Sequence, residues 1–316
     1  MMINENPWKD ISYDSQRRAD INKDIYWVKE PKGDYGICIE IKDENDIEIN
    51  DIELKDIEVL KGLHTLKGTL QWFLMLRNIE EWQIFKVLCE DLISVASIAK
   101  SEKNMVATME IRLRRWQNLL KQKRYLNLPL EVQMGLFSEL ECLKNTITPK
   151  IGLNAALQNW VGPESDKQDF LLDASAIEVK SYRTSKGEKI LISSKEQLTS
   201  EKENLYLVTY ALTKSNNGKS IFTIITDIKK ELEKDGNEYL KDLFEFKLLD
   251  YGYSSLIHKP EQLESFIIDR IKYYEMNQKF PRLTSSQIPA EIISVKYQID
   301  MSLCSEWEIT GESMSI

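Results

Sequence analysis

The sequence predicts a protein of the α+β or α/β class, with a central core in the element order α-β-β-β-α-β. Three observations lead to this prediction. Apolar residues recur three and four positions apart in the first half of the chain, short strand-like segments follow Gln168, and a helix start separates the last two of them. We expect a β-rich and helical region at 1–127, the core at 128–215 and an α+β region at 216–316.

The first region should begin with strands and continue with helices. "DIYWVKE" and "YGICIEIKD" flank the turn sequence "PKGD", and the carboxylate-rich "IKDENDIEINDIELKDIEVL" indicates an exposed strand or loop. "TLQWFLMLRN" is expected to be a buried strand. Helical apolar spacing then recurs in "IEEWQIFKVLCEDLISVASIAK" and in "MVATMEIRLRRWQNLLKQKRY".

The second of these helices carries a concentration of basic residues on an otherwise acidic chain. The simpler interpretation is a solvated helix face, and the alternative is a surface that contacts phosphate groups. The residues in question are Arg112, Arg114, Arg115, Lys121 and Lys123.

A third helix, "EVQMGLFSELECLKNT", contains an unpaired carboxylate. Its helical neighbours, which include Gly135 four residues before it, cannot pair with the charge of Glu139. Glu139 is therefore either a surface residue at the edge of the apolar stripe or a partly buried residue that awaits a cation. The helix alone favours the surface interpretation, because charged residues are mostly exposed.

The core and the C-terminal region follow. The predicted core strands are "QDFLL", "AIEVKSY", "KILIS" and "LYLVTYAL", with a helix start at "SSKEQL". In the C-terminal region we predict helices at "SIFTIITDIKKELE", "YLKDLFEFKLLDYG" and "EQLESFIIDRI", and a strand at "IISVKYQIDMSL".

The first two core strands form a hairpin whose register can be predicted. With the two-residue loop "DA", Phe170 lies opposite Ile177 and Asp169 lies opposite Glu178. Alternation along the strand then places Lys180 on the same face as Glu178, while Ile177 lies on the apolar face. One face of the hairpin should therefore hold two carboxylates and one ammonium group.

This charged face allows two interpretations. It is either a solvated surface with one Lys–Glu pair, or a site at which a divalent cation offsets two opposed carboxylates. Mg²⁺ is commonly held by one or two carboxylates together with water and substrate phosphates, and its field makes a bound water a better nucleophile. The second interpretation predicts metal-assisted hydrolysis of a phosphodiester.

Composition narrows the choice of function. The net charge of −9 means that binding of nucleic acid would need a local basic surface. The four cysteines are far apart in sequence and the chain has two histidines, which disfavours a zinc site, a disulfide framework or a histidine-dependent triad. No Walker or dinucleotide-binding motif is present. The chain has no apolar run of membrane length and no signal-peptide core, so we expect a cytoplasmic protein without a membrane partner.

At this point the residues resemble a known family. Asp169 followed by Glu178-Val179-Lys180 on consecutive strands is similar to the PD-(D/E)XK nuclease superfamily, which has the fold of many restriction endonucleases. The segments "GLFSELECL", "NWVGP", "QDFLL", "AIEVKSYR" and "ISSKEQL" resemble one bacterial branch, found in restriction–modification or phage-defence loci. The similarity covers about Leu128 to Leu212, with weaker similarity in "FPRL" and "VKYQIDMSLC".

The resemblance implies a role for each matching residue. Asp169 and Glu178 would be metal ligands, Lys180 would position or activate the attacking water, and Glu139 would be an additional ligand or hold a water. Gln197 matches a glutamine near the site, although its position in "SKEQ" is also that of a capping box. Gln168 stands where the motif has its proline.

The resemblance also implies the substrate and the cofactor. It implies a DNA endonuclease that uses Mg²⁺, with Mn²⁺ able to substitute, and double-stranded DNA as substrate. Arg183 joins the five basic residues of the second helix as an expected DNA contact. Candidate partners are a methyltransferase or ATPase encoded nearby and a second copy of the chain. The alternative is a catalytically silent nuclease-like subunit for DNA binding or assembly.

Overall fold

The chain forms two compact units, Met1–Tyr125 and Leu126–Ile316. The computed structural model describes residues 6–42, 47, 49–64, 66–121, 128–164, 167–255, 257–284, 287–289 and 291–316. Lys123 lies outside the described residues.

The described residues of the N-terminal unit form an antiparallel sheet followed by two α-helices. Its strand order is β1-β2-β3-β5-β4, and the apolar segment expected as a buried strand is β5. The strands are β1 Ser15–Arg18, β2 Ile25–Lys29, β3 Tyr35–Ile41, β4 Ile57–His64 and β5 Thr69–Leu76, and the helices are α1 Trp82–Ile98 and α2 Glu102–Lys121. Both helices lie where the apolar spacing predicted them.

The C-terminal unit is built around a second five-stranded sheet of order β12-β10-β9-β7-β6, accompanied by a separate two-stranded sheet, β11-β8. Strands β7 and β9 are parallel, and the other pairs are antiparallel. The strands are β6 Phe170–Leu171, β7 Ser175–Arg183, β8 Lys189–Ile192, β9 Asn204–Ser220, β10 Ser265–Glu275, β11 Tyr297–Asp300 and β12 Glu308–Ile309. Strand β9 runs through the boundary that we expected between residues 215 and 216.

Among its described residues the same unit contains five α-helices, and apolar residues cover both faces of β7. The helices are α3 Leu130–Cys142, α4 Thr148–Ile151, α5 Leu153–Gln158, α6 Ile221–Asp235 and α7 Glu238–Tyr251. Ile177 and Val179 belong to a core shared with α3 and α7, while Ala176 and Tyr182 belong to a second core shared with β8 and β11. None of the helices in the described ranges is both long and apolar enough to cross a membrane.

The predicted register of the hairpin is confirmed. Phe170 pairs with Ile177, and the amide of Leu172 donates to the carbonyl of Ser175 at 2.8 Å. The amide of Asp169 donates to the carbonyl of Ile177 at 3.1 Å, which continues the ladder beyond β6. The short loop therefore determines which residues of the two strands face each other.

Three predicted elements differ in the structure. The stretch "EQLESFIIDRI" was expected to be helical, but Ser265–Glu275 is strand β10, because its β-branched and aromatic residues pair along the length of β9. The helix expected at "SSKEQL" is only a 3₁₀ turn, Lys195–Leu198, which ends where Thr199 adopts an extended conformation. Strand β8 pairs with β11 outside the main sheet. The class nevertheless remains α+β, as predicted.

Candidate functional site

The charged face of the hairpin is largely shielded from solvent, with Glu178 buried and Asp169 and Lys180 half-buried. Glu178 is 0% exposed, and its Oε1 lies 2.5 Å from the Nζ of Lys180, whose side chain is 18% exposed. Apart from this contact with Lys180, neither carboxylate oxygen of Glu178 has a hydrogen-bond partner within the described part of the chain. Its contact with Lys180 is thus an ion pair, and the acceptor capacity of the carboxylate is largely unused.

Asp169 is positioned by the backbone on both sides. Its Oδ2 accepts a hydrogen bond from the amide of Val179 at 2.7 Å. Its own carbonyl accepts from the amides of Val161 at 2.9 Å and Gly162 at 3.0 Å. The segment that contains Trp160 and Gly162 therefore runs beside β6, and Gly162 lies next to the carboxylate of Asp169.

Glu139 approaches the same place from helix α3. It is buried, its Oε2 accepts from the indole Nε1 of Trp160 at 2.8 Å, and its Oε1 accepts from the hydroxyl of Tyr251 at 2.8 Å. The surface interpretation of this residue is therefore wrong. Two neutral donors hold the carboxylate, one from the segment before β6 and one from the last turn of α7.

A glycine lies between Glu139 and Asp169. A Cβ added to Gly162 would lie 2.6 Å from Oε2 of Glu139 and 2.8 Å from Oδ1 of Asp169. Contacts this short are not possible for a real side chain, so only glycine fits against both carboxylates. Both acidic side chains thus reach the place that a side chain at position 162 would occupy.

Burial makes the charges of this cluster unfavourable. It raises the pKa of Glu178 to about 8, with a further contribution from Asp169. Burial also raises the pKa of Asp169, against the opposing effects of Lys180 and the Val179 amide. The pKa of Glu139 is well above its usual range because of burial and the charge of Asp169, although its two hydrogen bonds act in the other direction.

The donor set of the cluster fits a hard divalent cation. Three carboxylates and one ammonium give the ionised cluster a net charge of −2, and the buried oxygens of Glu178 contact no donor other than Lys180 among the described residues. Asp169 and Glu178 are the residues that would hold the ion. Among the described residues no group of three or more histidine, cysteine or acidic side chains forms a ready metal site. Both oxygens of Glu139 already accept hydrogen bonds. Glu139 therefore fits the role of a residue that holds a water near the ion better than the role of a direct ligand.

The charge of Lys180 limits its chemistry. Burial by itself would lower the pKa of Lys180, but Glu178 and Asp169 raise it above its usual value. The side chain is therefore an ammonium at neutral pH, which can hold a water or stabilise negative charge but cannot accept a proton. Of the two roles implied for this lysine, positioning of the water is the one that its charge supports.

Two glutamines lie at the 3₁₀ turn or bond to it. The side-chain oxygen of Gln197 accepts from the amide of Ser193 at 2.8 Å, which is a local bond, whereas Ser194 at the start of the turn makes no side-chain capping bond. Gln168 is buried, and its Nε2 donates to the carbonyls of Glu196 at 2.9 Å and Thr199 at 2.9 Å. The residue in place of the motif's proline thus ties the turn to the strand that carries Asp169.

The expected basic contacts differ in accessibility. On α2, Arg114 is exposed, whereas Arg115 is 9% exposed and Arg112 is half-buried, 3.9 Å from the carboxylate of Asp91. Arg183 is half-buried at the end of β7. Lys121 is the last residue of α2, and its side chain, like Lys123, lies outside the described residues.

Some residues of the site were missed at the level of sequence. Trp160, Gly162, Lys247 and Tyr251 carried no predicted role, and Lys247 donates from its buried Nζ to the carbonyl of Trp160. One feature of the sequence could have pointed to a donor for Glu139, namely Gly135, which lies one helical turn before it. A Cβ at this glycine would lie 2.6 Å from the hydroxyl of Tyr251, so the missing side chain makes room for the donor to Glu139.

The parallel β7–β9 pair, the hairpin beside it and the acidic residue of α3 define a PD-(D/E)XK-like α+β fold. The family model described as "Putative PD-(D/E)XK family member, (DUF4420)" matches residues 4–302, nearly the whole chain. The chain belongs to this family. Neither the curated proteins nor the solved structures contain a match to it.

Proposed function

We propose that this protein is a divalent-metal-dependent endonuclease that hydrolyses the phosphodiester bonds of DNA. The observation that carries the proposal is the cluster of Asp169, Glu178 and Lys180, in which the buried carboxylate of Glu178 has no hydrogen-bond partner among the described residues apart from its contact with the Lys180 ammonium. A cluster with excess negative charge in a buried place is unfavourable unless a cation or a proton balances it. A nuclease site explains why this chain maintains it.

Each residue has a defined part in the proposed reaction. Asp169 and Glu178 would hold the cation, and a divalent cation there would polarise a water and neutralise charge on the phosphate. Lys180, fixed by its ion pair with Glu178, holds the attacking water and stabilises negative charge that develops on the phosphoryl oxygens. The water oxygen attacks phosphorus, the bond to the leaving oxygen breaks, and the water proton passes to solvent or to that oxygen.

The finer parts of the proposal come from the resemblance. They are Mg²⁺ as the natural ion, double-stranded DNA as substrate and a role in restriction–modification or phage defence. Arg114 is the most accessible of the described arginines expected to contact DNA, and it lies on α2. A partner methyltransferase or ATPase and a homodimer that cuts both strands belong to the same proposal.

The first test is cleavage of supercoiled plasmid with Mg²⁺, with Mn²⁺ and with EDTA. The variants are Lys180→Ala and, as a matched control, the exposed Lys186→Ala three residues beyond β7. We expect metal-dependent nicking or linearisation, a loss of about 10²–10³ in rate for Lys180→Ala, and no change for the control.

Binding of Mn²⁺ measured by electron paramagnetic resonance provides a second readout without catalysis. The wild type should bind the ion and Glu178→Gln should not. Metal binding without cleavage would favour the alternative, a nuclease-like subunit that binds DNA for a partner. Absence of both binding and cleavage would refute the proposed site.

A further inference from the structure

Helix α7 presents one stripe of side chains to the acidic cluster. Phe244, Lys247 and Tyr251 are separated by three and four residues, so they lie on one face of the helix. The ring of Phe244 lies 6.3 Å from that of Trp160, and the buried Nζ of Lys247 donates to the Trp160 carbonyl. The hydroxyl of Tyr251 donates to Oε1 of Glu139 at 2.8 Å.

These contacts converge on one carboxylate. The indole Nε1 of Trp160 donates to Oε2 of Glu139, and the carbonyl of Trp160 accepts from Nζ of Lys247. Helix α7 therefore holds both oxygens of Glu139, one directly through Tyr251 and the other through Trp160. The bonds leave about two of the four lone-pair sites of the carboxylate for a water or a cation. The orientation of those sites is determined by the two donors.

Helix α3 is shaped to receive this arrangement. Gly135 lies one turn before Glu139, and the position of its absent Cβ is 2.6 Å from the hydroxyl oxygen of Tyr251 and 3.8 Å from its Cζ. An ordinary residue at 135 would exclude the hydroxyl from its place. The glycine at position 135 and the hydrogen bond are two separate observations, and both indicate that the contact between Tyr251 and Glu139 belongs to the architecture of the site.

We infer that α7 belongs to the catalytic centre, with Tyr251 as the positioning residue that orients Glu139 and Lys247 as the residue that secures Trp160 for the same purpose. The inference rests on the proposed nuclease function. Tyr251 acts on the reaction through Glu139. Removal of the Tyr251 hydroxyl should therefore weaken metal binding and raise the metal concentration that cleavage requires. Loss of such outer partners costs about 10–100-fold in metal affinity or activity.

The test compares Tyr251→Phe with Tyr253→Phe. Tyr253 lies two residues away and is buried, whereas Tyr251 is half-buried. The Tyr253 hydroxyl has no hydrogen-bond partner among the described residues, so its loss controls for the removal of a hydroxyl from α7's end of the core. Gly135→Ala displaces the Tyr251 hydroxyl without altering tyrosine or glutamate. The readouts are Mn²⁺ affinity, the metal dependence of cleavage and the indole N–H resonance of Trp160 in ¹⁵N-tryptophan-labelled protein, assigned with Trp160→Phe.

We expect Tyr251→Phe and Gly135→Ala to shift the Trp160 resonance and to raise the metal concentration needed for half-maximal cleavage about 10-fold or more. Tyr253→Phe should do neither. In a double-mutant cycle, Tyr251→Phe should add nothing further to Glu139→Gln, because both act at one carboxylate.

The outcomes separate this inference from the proposed function. If the wild type binds metal and cleaves, but Tyr251→Phe behaves like Tyr253→Phe or adds to Glu139→Gln, the inference is wrong and the nuclease proposal stands. If the wild type neither binds metal nor cleaves, both are overturned.

Discussion

Replacement of Gly162 by alanine should disturb the acidic cluster without altering any of its charged residues. The new Cβ would lie 2.6 Å from Oε2 of Glu139, 2.8 Å from Oδ1 of Asp169 and 3.3 Å from the Asp169 Cα. The Glu139 oxygen cannot move freely, because the indole of Trp160 holds it in a buried place. The backbone cannot move freely either, since the amide of Gly162 donates to the Asp169 carbonyl at 3.0 Å.

The expected cost is that of overpacking, about 1–3 kcal/mol in the free energy of unfolding. Part of it is offset by about 0.4–1 kcal/mol, because alanine restricts the unfolded chain more than glycine does. The assay is urea denaturation followed by tryptophan fluorescence, with Mn²⁺ binding measured on the same samples. We expect a lower unfolding midpoint together with weaker metal binding.

Gly62→Ala is the control for the general effect of exchanging glycine for alanine. Gly62 lies in β4, its φ is not positive, and the nearest atom to an added Cβ is 4.0 Å away, on the ring of Phe73. If Gly162→Ala matches this control in stability within about 0.5 kcal/mol and binds Mn²⁺ as the wild type does, the steric reasoning is refuted.

Three further predictions concern other parts of the molecule. Gln168→Ala should lower the free energy of unfolding by about 0.5–1.5 kcal/mol, measured by urea denaturation, since the buried Gln168 amide no longer donates to the carbonyls of Glu196 and Thr199; an unchanged midpoint would contradict this. Because the pKa of Glu178 is raised to about 8 in the folded state, folding takes up a proton at this carboxyl, so the metal-free protein should lose stability as pH rises from about 5 to 8. Melting curves in EDTA should show this fall and Glu178→Gln should reduce it; an equal fall in both would argue against Glu178. Arg114→Ala should reduce the salt dependence of DNA binding, whereas the buried Arg115→Ala should lower the melting temperature; an unchanged salt slope for Arg114→Ala would remove α2 from the proposed interface.

The hairpin shows what could be predicted from sequence. Asp169, Glu178 and Lys180 lie within twelve residues, and a two-residue loop with strict alternation leaves little freedom in how they meet. The same reasoning could not predict their burial. Tyr182 faces the same side and packs in a core with β8, which is a contact between strands and not a property of the hairpin pattern.

The C-terminal region shows the opposite case. The apolar residues of Ser265–Glu275 suit a helix or a strand, and pairing with β9 decided in favour of the strand. Gln197 could be read as a capping residue or as a site residue; its side chain makes a local bond to the amide of Ser193, and Ser194 makes no side-chain capping bond. For Ser265–Glu275 the local sequence suits two structures, and the tertiary contact with β9 selected one.

The sequence by itself therefore determined the register of the hairpin and the three side chains on its charged face, because loop length and side-chain alternation act over a few residues. Only the tertiary structure decided how Glu139 is held. Its donors, Trp160 and Tyr251, lie on other elements of the chain, and they meet at one carboxylate because α3 and α7 pack in the same core. Such a meeting depends on the packing of whole elements, which no local pattern encodes.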